Sequence, residues 1–241
     1  MTVIPRRYTG SSKREKVEHM FDRIAPRYDL LNRVLSAGID KSWRRKAIRL
    51  LASQRPKSIL DIATGTADLA LEASTLKPSK IIGVDISEQM LAEGRKKISQ
   101  RNLSHLIRLE NGDSEELSFA DATFDAVTVA FGVRNFENLE RGLCEILRVL
   151  KPGGMAVILE FSQPQNFPVK QFYGFYSRYL LPVIGQIVSK ERAAYEYLPE
   201  SVKAFPSGKK FIAILEECGY RNTKIHPLTF GIATIYTGLK S

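Results

Sequence analysis

The first 55 residues carry apolar positions with helical spacing. One set falls at i, i+3, i+4 and i+7 and therefore shares one helix face: Val17, Met20, Phe21 and Ile24. Residues 28–38 predict a second helix, which follows Pro26 and ends at Gly38. A third helix carries another apolar stripe, with basic side chains opposite: Trp43, Ala47, Leu50 and Leu51. The chain is therefore expected to begin with a helical region.

From residue 56 the pattern changes to short apolar runs that alternate with amphipathic stretches. The apolar runs predict five strands: residues 57–63, 80–85, 105–113, 121–132 and 155–161. The stretches between them predict helices: residues 66–76, 87–99 and 135–150. Ser87 is placed to cap the second of these helices. Strands separated by helices are typical of a parallel sheet that is covered on both faces.

Two further strand-like stretches, residues 220–228 and 231–239, close the chain. The whole pattern predicts an α/β fold with a seven-stranded sheet, mostly parallel with its last strand antiparallel, flanked by helices. No repeat or break in composition marks a second domain. We therefore expect one domain, with an N-terminal helical cap at 1–55, the sheet core at 56–161, and a lid insertion and closing strands at 162–241.

Composition is that of an ordinary globular protein, with 44% hydrophobic and 26% charged residues among 241. No apolar run is long enough to cross a bilayer and the N-terminus lacks a signal-peptide core, so a cytoplasmic location is expected. The two cysteines form no CxxC pair and the three histidines are scattered, which predicts no metal site. We expect both thiols to be buried and inert.

The net charge is +10, from 36 Lys and Arg against 26 Asp and Glu. Many of the basic residues lie early in the chain, including Lys41, Arg44, Arg45, Lys46 and Arg49. Such an excess suits an anionic partner, either a nucleic acid or an anionic membrane surface. A solvated basic surface with no dedicated partner is the alternative that charge alone leaves open.

In a parallel sheet, ligands lie beyond the carboxyl ends of the strands. The turn after the first strand contains Asp61, Gly65 and Thr66. Gly65 lets the backbone approach a ligand closely, and Asp61 can orient the loop or meet a cationic group. The turn is not GxGxxG, which disfavours a dinucleotide site.

Three further strand ends carry candidate ligand-binding residues. Asp85 ends the second strand and can accept hydrogen bonds from both hydroxyls of a ribose. Asp113 and Ser114 follow the third strand, where they can receive the amino group of an adenine. Ala130 ends the fourth strand and leaves room beside a reacting group. Each position also has a simpler interpretation, because acids at strand ends often only cap helices.

The order of these residues over 56–161 resembles the Rossmann-like S-adenosylmethionine-dependent methyltransferases, which makes that segment the expected cofactor-binding core. Three further segments extend the resemblance over nearly the whole chain, to the ubiquinone/menaquinone biosynthesis C-methyltransferases. These segments are residues 28–32 with Ser36 and Trp43, residues 131–135, and residues 148–154 continuing to 160–162. The chain departs from the usual pattern with Leu31 for Met, Asp40 for His and Ala67 for Gly.

The resemblance implies methylation of a ring carbon on a prenylated hydroquinone, with S-adenosyl-L-methionine as the methyl donor. We expect Arg134 to stabilise the oxyanion that develops on the ring, and Asn135 to be a neighbouring donor. Because an arginine stays protonated, a water or Tyr28 is expected to accept the proton. Demethylmenaquinol is the favoured substrate; a benzoquinol, an RNA or another small molecule stays open as an alternative.

A long isoprenoid tail would need an apolar entrance. Residues 167–181 follow the fifth strand, where this fold commonly inserts a lid, and they are rich in large side chains: Phe172, Tyr173, Phe175, Tyr176, Tyr179, Leu180 and Leu181. These side chains line such an entrance or simply pack in the core. The basic N-terminal helices predict peripheral docking on an anionic membrane surface. A homo-oligomer is possible.

Three other functions compete with this interpretation. A nucleic-acid methyltransferase would also be basic, but base-amine enzymes usually carry a Pro-Pro-aromatic loop after strand four and this chain has AFGVRN. We therefore expect no nucleic-acid partner. A non-catalytic cofactor-binding scaffold is disfavoured by the acids and the arginine at the expected positions. A dehydrogenase is disfavoured by the missing GxGxxG.

Overall fold

The computed structural model describes residues 3–5, 8–176, 179 and 192–241. Its centre is a seven-stranded sheet with the order β3-β2-β1-β4-β5-β7-β6. The strands are β1 (Ser58–Ile62), β2 (Lys80–Asp85), β3 (Ile107–Asn111), β4 (Phe124–Ala130), β5 (Leu150–Phe161), β6 (Arg221–Leu228) and β7 (Ala233–Leu239). Strands β1 to β5 pair in parallel, and β7 lies antiparallel between β5 and β6. The predicted sheet is confirmed.

The strand order reverses at β1, whose two neighbours are β2 and β4. All five residues of β1 are buried, as expected of a strand that is covered on both faces. Because the crossovers from β1 run to opposite sides, a crevice opens beyond the carboxyl ends of β1 and β4. The candidate residues of the sequence lie at this edge of the sheet.

Alternate residues of a strand point to opposite faces of the sheet, and here both faces are apolar. Helices therefore cover both faces. The helices are α1 (Lys13–Ile24), α2 (Tyr28–Leu35), α3 (Asp40–Leu50), α4 (Asp68–Ala73), α5 (Glu88–Gln100), α6 (Leu139–Val149), α7 (Val169–Phe175), α8 (Arg192–Ala204) and α9 (Lys209–Glu217). Ile59 packs in the core beneath α3, α4 and α5. Leu60 packs in the core beneath α6 and α9.

A third layer lies over the carboxyl edge of the sheet. Side chains of α1 and α2 pack there with α8 and with Met90 of α5 in a separate cluster, which includes Met20, Leu31, Tyr195 and Tyr197. The helical N-terminus is thereby joined to the C-terminal half of the chain. This layer covers the crevice that opens where the strand order reverses.

Three details differ from the sequence-based expectations. Helix α6 begins at Leu139, with the side chain of Asn138 as its N-cap, because residues 133–135 form a separate 3-10 turn. Strand β5 begins at Leu150, so it includes the KPGG segment that was expected to lie outside it. Cys144 is exposed and Cys218 half-buried, so the expectation of two buried thiols was wrong. Leu180 and Leu181 lie outside the described residues.

Across the described ranges, no helix is both long and apolar enough to cross a membrane.

Candidate active site

Two cavities adjoin at the carboxyl edge of the sheet. The first has a volume of about 680 Å³ and lies between α1 and the ends of β1, β2 and β4. The second has a volume of about 1030 Å³ and lies between α2, α3, α7 and α8. Phe21, Tyr28 and Phe131 line both cavities, so the two meet at these side chains. We call them the inner cavity and the aromatic cavity.

Asp85 lies on the wall of the inner cavity at the end of β2. Its carboxylate accepts hydrogen bonds from the backbone N–H of Gly65 at 2.8 Å and of Ser87 at 2.9 Å. Burial raises the pKa of Asp85 to about 6, against the lowering effect of these backbone donors. The carboxylate thus links the turn after β1 to the N-cap of α5, and Asp85 lines the cavity.

Asp61 is fully buried beneath the same turn. It accepts hydrogen bonds from the hydroxyls of Thr64 at 2.6 Å and Thr128 at 2.7 Å, and burial raises its pKa to about 6. Both donors hold the β1 turn in place, which is the loop-orienting role foreseen for this acid. Gly65 has φ +54, where a side chain would be strained, and it lines both the inner cavity and a small recess.

Thr66 lines the small recess of about 340 Å³ beside the inner cavity. Its hydroxyl donates to Asp29 at 2.6 Å and accepts from Lys97 at 3.1 Å. Lys97 also donates to Asp68. The side chain of Thr66 therefore belongs to a polar cluster that ties α2 to α4 and α5. Next to it, Ala67 has φ +65, which explains why a glycine is usual there.

Asp113 and Ser114 line the far end of the inner cavity. Asp113 forms a 2.8 Å ion pair with Arg14, a half-exposed residue of α1, and accepts a hydrogen bond from the backbone N–H of Glu115 at 2.9 Å. Helix α1 thus closes over this end of the cavity. The pairing with Arg14 occupies part of the carboxylate that was expected to meet an adenine.

The loop after β4 forms the boundary between the two cavities. Ala130 lines the inner cavity, and Phe131 has φ +59. A Cβ at Gly132 would approach the Cβ of Ala63 to 2.5 Å, so only glycine fits there. Asn135 is buried, and its side-chain oxygen accepts a 3.1 Å hydrogen bond from the hydroxyl of Tyr197. The loop is fixed on both sides by α8 and by β1.

Arg134 and Glu160 form a buried ion pair with an N···O distance of 2.8 Å, and their side chains are 7% and 0% exposed. Glu160 also accepts from the backbone N–H groups of Arg134 and Phe161. Burial raises the pKa of Glu160, while the guanidinium lowers it. The Nε of Arg134 is the one buried side-chain N or O atom without a hydrogen-bond partner in the described part of the chain. Arg134 lines the aromatic cavity, so its paired guanidinium places a fixed positive charge beside it.

Tyr28 lines both cavities and the small recess. Burial raises the pKa of its phenol, against hydrogen bonding from the side chain of Asn32. The phenol is therefore protonated at neutral pH. It accepts a proton only if it gives up its own at the same time, so Tyr28 is better suited to donate a hydrogen bond or to relay a proton.

The sequence interpretation missed three buried charged residues. Asp40 and Arg44 of α3 form an ion pair, are 4% and 6% exposed as residues, and line the aromatic cavity. Arg44 had been placed in an exposed basic cluster, which was wrong. Lys13 is also buried, and its Nζ donates to the carbonyls of Arg134 at 3.2 Å and Phe136 at 2.5 Å. The i, i+4 spacing of Asp40 and Arg44, beside the apolar stripe of α3, was the available signal.

Comparisons with known proteins show which family the chain belongs to. The model of the ubiE/COQ5 methyltransferase family matches residues 9–240. A Bacteroides fragilis protein named demethylmenaquinone methyltransferase is 51% identical over 235 residues, which cover 97% of this chain and 96% of that protein. A Geotalea daltonii protein named ubiquinone/menaquinone biosynthesis C-methyltransferase UbiE is 49% identical over 95% of this chain and 98% of that protein.

Solved structures share the fold at low sequence identity. A Thermotoga maritima protein described as an SAM-dependent methyltransferase, possibly a histamine N-methyltransferase, gives a TM-score of 0.64 at 20% identity, over 93% of this chain and 99% of that one. A Methanococcus maripaludis protein described as a putative S-adenosyl-L-methionine-dependent methyltransferase gives 0.63 at 19% identity, over 92% and 94%. The chain belongs to the ubiE/COQ5 methyltransferase family, and its methyl donor is S-adenosyl-L-methionine.

Proposed function

We propose that this protein methylates a ring carbon of demethylmenaquinol, with S-adenosyl-L-methionine as the donor. The observation that carries the proposal is the buried guanidinium of Arg134, a residue that lines the aromatic cavity and whose Nε has no hydrogen-bond partner in the described part of the chain. That cavity adjoins the inner cavity, in which Asp85 lies. The relatives named demethylmenaquinone methyltransferase support the choice of substrate.

The inner cavity fits the methyl donor. A carboxylate such as Asp85 is the usual acceptor for two ribose hydroxyls, and Asp113 with Ser114 lies at the end where an adenine would be held. A Cβ on Gly65 would meet only Tyr28, at 4.0 Å, so that side of the turn is open. When bound, S-adenosyl-L-methionine supplies an electrophilic methyl group on a sulfonium. The small side chain of Ala130 leaves room for it beside the aromatic cavity.

The aromatic cavity fits a hydroquinone ring with an apolar tail. Phe131 and Phe161 stack with ring centroids 4.4 Å apart, and Trp43 lies edge-on to Phe161. These rings offer a flat wall for an aromatic substrate. Tyr173 and Tyr176 of the α7 region also line this cavity. The tail would leave along them.

Arg134 would stabilise the reaction electrostatically. Loss of the hydroxyl proton makes the neighbouring ring carbon nucleophilic, and a fixed donor at that oxygen stabilises the oxyanion without reorganisation. Methyl transfer would leave the donor as a neutral thioether, and the hydrogen on the methylated carbon would leave as a proton to restore the aromatic ring. Glu160 holds the guanidinium through the Nη1 atom of Arg134, and the Nε atom of Arg134 has no hydrogen-bond partner. Asn135 fixes the loop that carries Arg134. The neutral phenol of Tyr28 would donate a hydrogen bond to the substrate or relay a proton.

The proposal is tested with purified protein, reduced 2-prenyl-1,4-naphthoquinone and methyl-labelled donor, with products identified by mass spectrometry. We expect one added methyl on the ring. A matching prenylated benzoquinol serves as the second substrate, because relatives such as the Geotalea protein carry both quinones in their name. Faster methylation of the benzoquinol would overturn the choice of ring. Absence of methylation on both would overturn the proposed function.

We also propose that the protein docks on an anionic membrane around the mouth of the aromatic cavity. Large apolar side chains are exposed there on α2 and around α7: Leu30, Val34, Phe167, Phe172 and Phe175. Tyr173 and Tyr176, on other sides of the same segment, line the cavity. Exposed basic residues of α2, α3 and α7 accompany them, including Arg33, Lys41, Arg45 and Lys170. Exposed aromatics with basic neighbours suit an anionic lipid surface.

A further inference from the structure

Asp40 is the first residue of α3 and is buried at the wall of the aromatic cavity. One carboxylate oxygen accepts a hydrogen bond from the hydroxyl of Ser36 at 2.6 Å, and the other is paired with Arg44. Within the described part of the chain, Asp40 is the sole carboxylate that lines this cavity. An oxygen acceptor is therefore held in a fixed place among aromatic side chains.

Arg134 lies beside one ring of a stacked pair, and Asp40 is joined through its partner Arg44 to the other ring. The guanidinium of Arg134 lies over the ring of Phe161, 5.5 Å from its centroid. The guanidinium of Arg44, the partner of Asp40, lies 5.9 Å from the centroid of Phe131. Since Phe131 and Phe161 are stacked on one another, the donor Arg134 lies beside one ring, and the Asp40–Arg44 pair, which contributes the carboxylate acceptor, belongs to the side of the other.

This polarity matches one oxidation state of a 1,4-dioxygenated ring. A hydroquinone carries two O–H groups on opposite carbons, so one oxygen can accept from Arg134 while the other donates to a carboxylate. In the oxidised quinone both oxygens are carbonyls, which only accept hydrogen bonds. A carboxylate has no hydrogen to offer a carbonyl, so the two sets of lone pairs repel each other.

We propose that Asp40 makes the aromatic cavity selective for the reduced ring by accepting a hydrogen bond from its second hydroxyl. The inference rests on the proposed function, since it takes a hydroquinone as the substrate. It adds a specificity-determining residue at a position where the family signature usually has histidine. A neutral imidazole can turn either a donor or an acceptor to the ring, whereas the carboxylate offers only acceptors. This chain should therefore reject the quinone more strictly than a histidine would.

The test compares Asp40→Asn with the wild type, on both oxidation states of 2-prenyl-1,4-naphthoquinone. The oxidised form is titrated in air, and its binding is followed by quenching of Trp43, the single tryptophan of the chain, which lines this cavity. The reduced form is kept under dithionite, and its KM is measured in the methylation assay. Asp68→Asn is the matched control, because Asp68 is the other carboxylate near Arg44, at 3.7 Å, and does not line the aromatic cavity.

We expect Asp40→Asn to move the two constants in opposite directions. The amide can donate to a carbonyl, so the Kd of the quinone falls about tenfold or more. Its neutral oxygen is a weaker acceptor than a carboxylate, so the KM of the hydroquinone rises by a similar factor. Asp40→His should fall between the wild type and Asp40→Asn, and Asp68→Asn should leave both constants near wild-type values. A merely structural role for Asp40 would weaken both ligands together.

The inference would be overturned if Asp40→Asn raised both the Kd of the quinone and the KM of the hydroquinone. It would also be overturned if the ratio of these two constants did not change. If Asp40→Asn does not fold, as judged by its melting curve, the ratio measured for Asp40→His decides the matter. A wild-type protein that does not methylate the reduced probe would instead overturn the proposed function. The two failures are therefore distinguishable.

Discussion

At the scale of single residues, the site depends on carboxylates that are buried rather than solvated. Asp61, Asp85 and Glu160 all have a pKa raised by burial, and each is held by hydrogen bonds from nearby hydroxyls or backbone N–H groups. Glu160 alone has a guanidinium at 2.8 Å. Because an unpaired buried charge is strongly unfavourable, changes at the Arg134–Glu160 pair affect both stability and chemistry.

Arg134→Ala should lower kcat by about a hundredfold or more, roughly 3 kcal/mol of barrier. It should also lower stability by about 3–5 kcal/mol, because Glu160 loses its partner. The double variant Arg134→Ala/Glu160→Gln separates these effects, since it removes the buried charge. We expect its melting temperature to recover in large part while kcat stays low. Recovery of kcat together with the melting temperature would show that Arg134 acts only structurally.

Asp85→Ala should weaken binding of S-adenosyl-L-methionine by about 1–3 kcal/mol, because buried ribose hydroxyls would lose their acceptor. Isothermal titration calorimetry measures the change. Glu88→Gln is the control, since Glu88 is a largely exposed acid at the start of the adjoining helix. Wild-type affinity in Asp85→Ala would remove this residue from the donor site.

Affinity for S-adenosyl-L-methionine should fall as the pH is lowered from 7 to 5. The pKa of Asp85 is raised to about 6, so its carboxylate takes up a proton over this range and becomes a poorer acceptor. The stability of the protein without the donor should change in the opposite direction and rise as the pH falls. A folded-state pKa above the unfolded value means that this residue favours folding more as the pH falls from about 6 toward 4. Asp85→Asn should flatten both trends, and an unchanged pH dependence of binding would contradict the assignment.

At the scale of secondary-structure elements, helix α1 is hydrogen-bonded to elements that line both cavities. Asp22 of α1 accepts a 2.6 Å hydrogen bond from the hydroxyl of Ser87, the N-cap of α5. Lys13, at the start of α1, donates to two carbonyls of the loop that carries Arg134. Helix α1 therefore contacts both the N-terminus of α5 beside the inner cavity and the loop that carries Arg134, and its detachment would open the inner cavity.

Lys13→Met should destabilise the protein, because two loop carbonyls lose a donor. Burial lowers the pKa of Lys13 to about 8. With the folded pKa below the unfolded value, the unfolded chain binds more protons between pH 8 and about 10, so wild-type stability gains with pH there. The stability difference from Lys13→Met should therefore grow over that range, as measured by urea unfolding. A difference that stays constant with pH would argue against a buried Lys13.

At the scale of the whole molecule, two regions far apart in sequence build the aromatic cavity. Trp43 of α3 donates a 2.8 Å hydrogen bond to Thr229, 186 residues later, and the hydroxyl of Tyr176 donates to the carbonyl of Leu35. The helical N-terminus and the segment after β5 thus close on one another. Their outer surfaces carry the exposed apolar and basic residues proposed to meet the membrane.

The docking proposal predicts that Phe172→Ser/Phe175→Ser lowers partitioning onto anionic vesicles. Both residues are largely exposed, so their removal should leave the melting temperature and donor affinity unchanged. Sedimentation with phosphatidylglycerol vesicles measures the partitioning, and raised salt should release the wild type. Phe230→Ser is the matched control for an exposed aromatic outside α2 and α7. Equal partitioning of the wild type onto neutral and anionic vesicles would contradict the docking proposal.

The sequence by itself determined the sheet and the strand ends. Apolar spacing is a local property, and parallel strands bring their carboxyl ends to one edge, so Asp61, Asp85 and Asp113 had to approach one another. The expected cap at Ser87 is confirmed for the same reason, since a cap depends only on its own helix. The identity of Arg134 as a candidate came from a local resemblance.

Only the tertiary structure decided which charges are buried and what they contact. Lys13 meets Phe136 and Arg134 meets Glu160 across long stretches of chain, and Arg44 turns inward from a run of basic residues that is otherwise exposed. Burial and pairing are properties of the assembled layers, and apart from the i, i+4 spacing of Asp40 and Arg44 no spacing along the chain indicates them. The acceptor role proposed for Asp40 rests on that assembly, because Phe131 and Phe161 form a wall beside it only after α3 packs against the sheet.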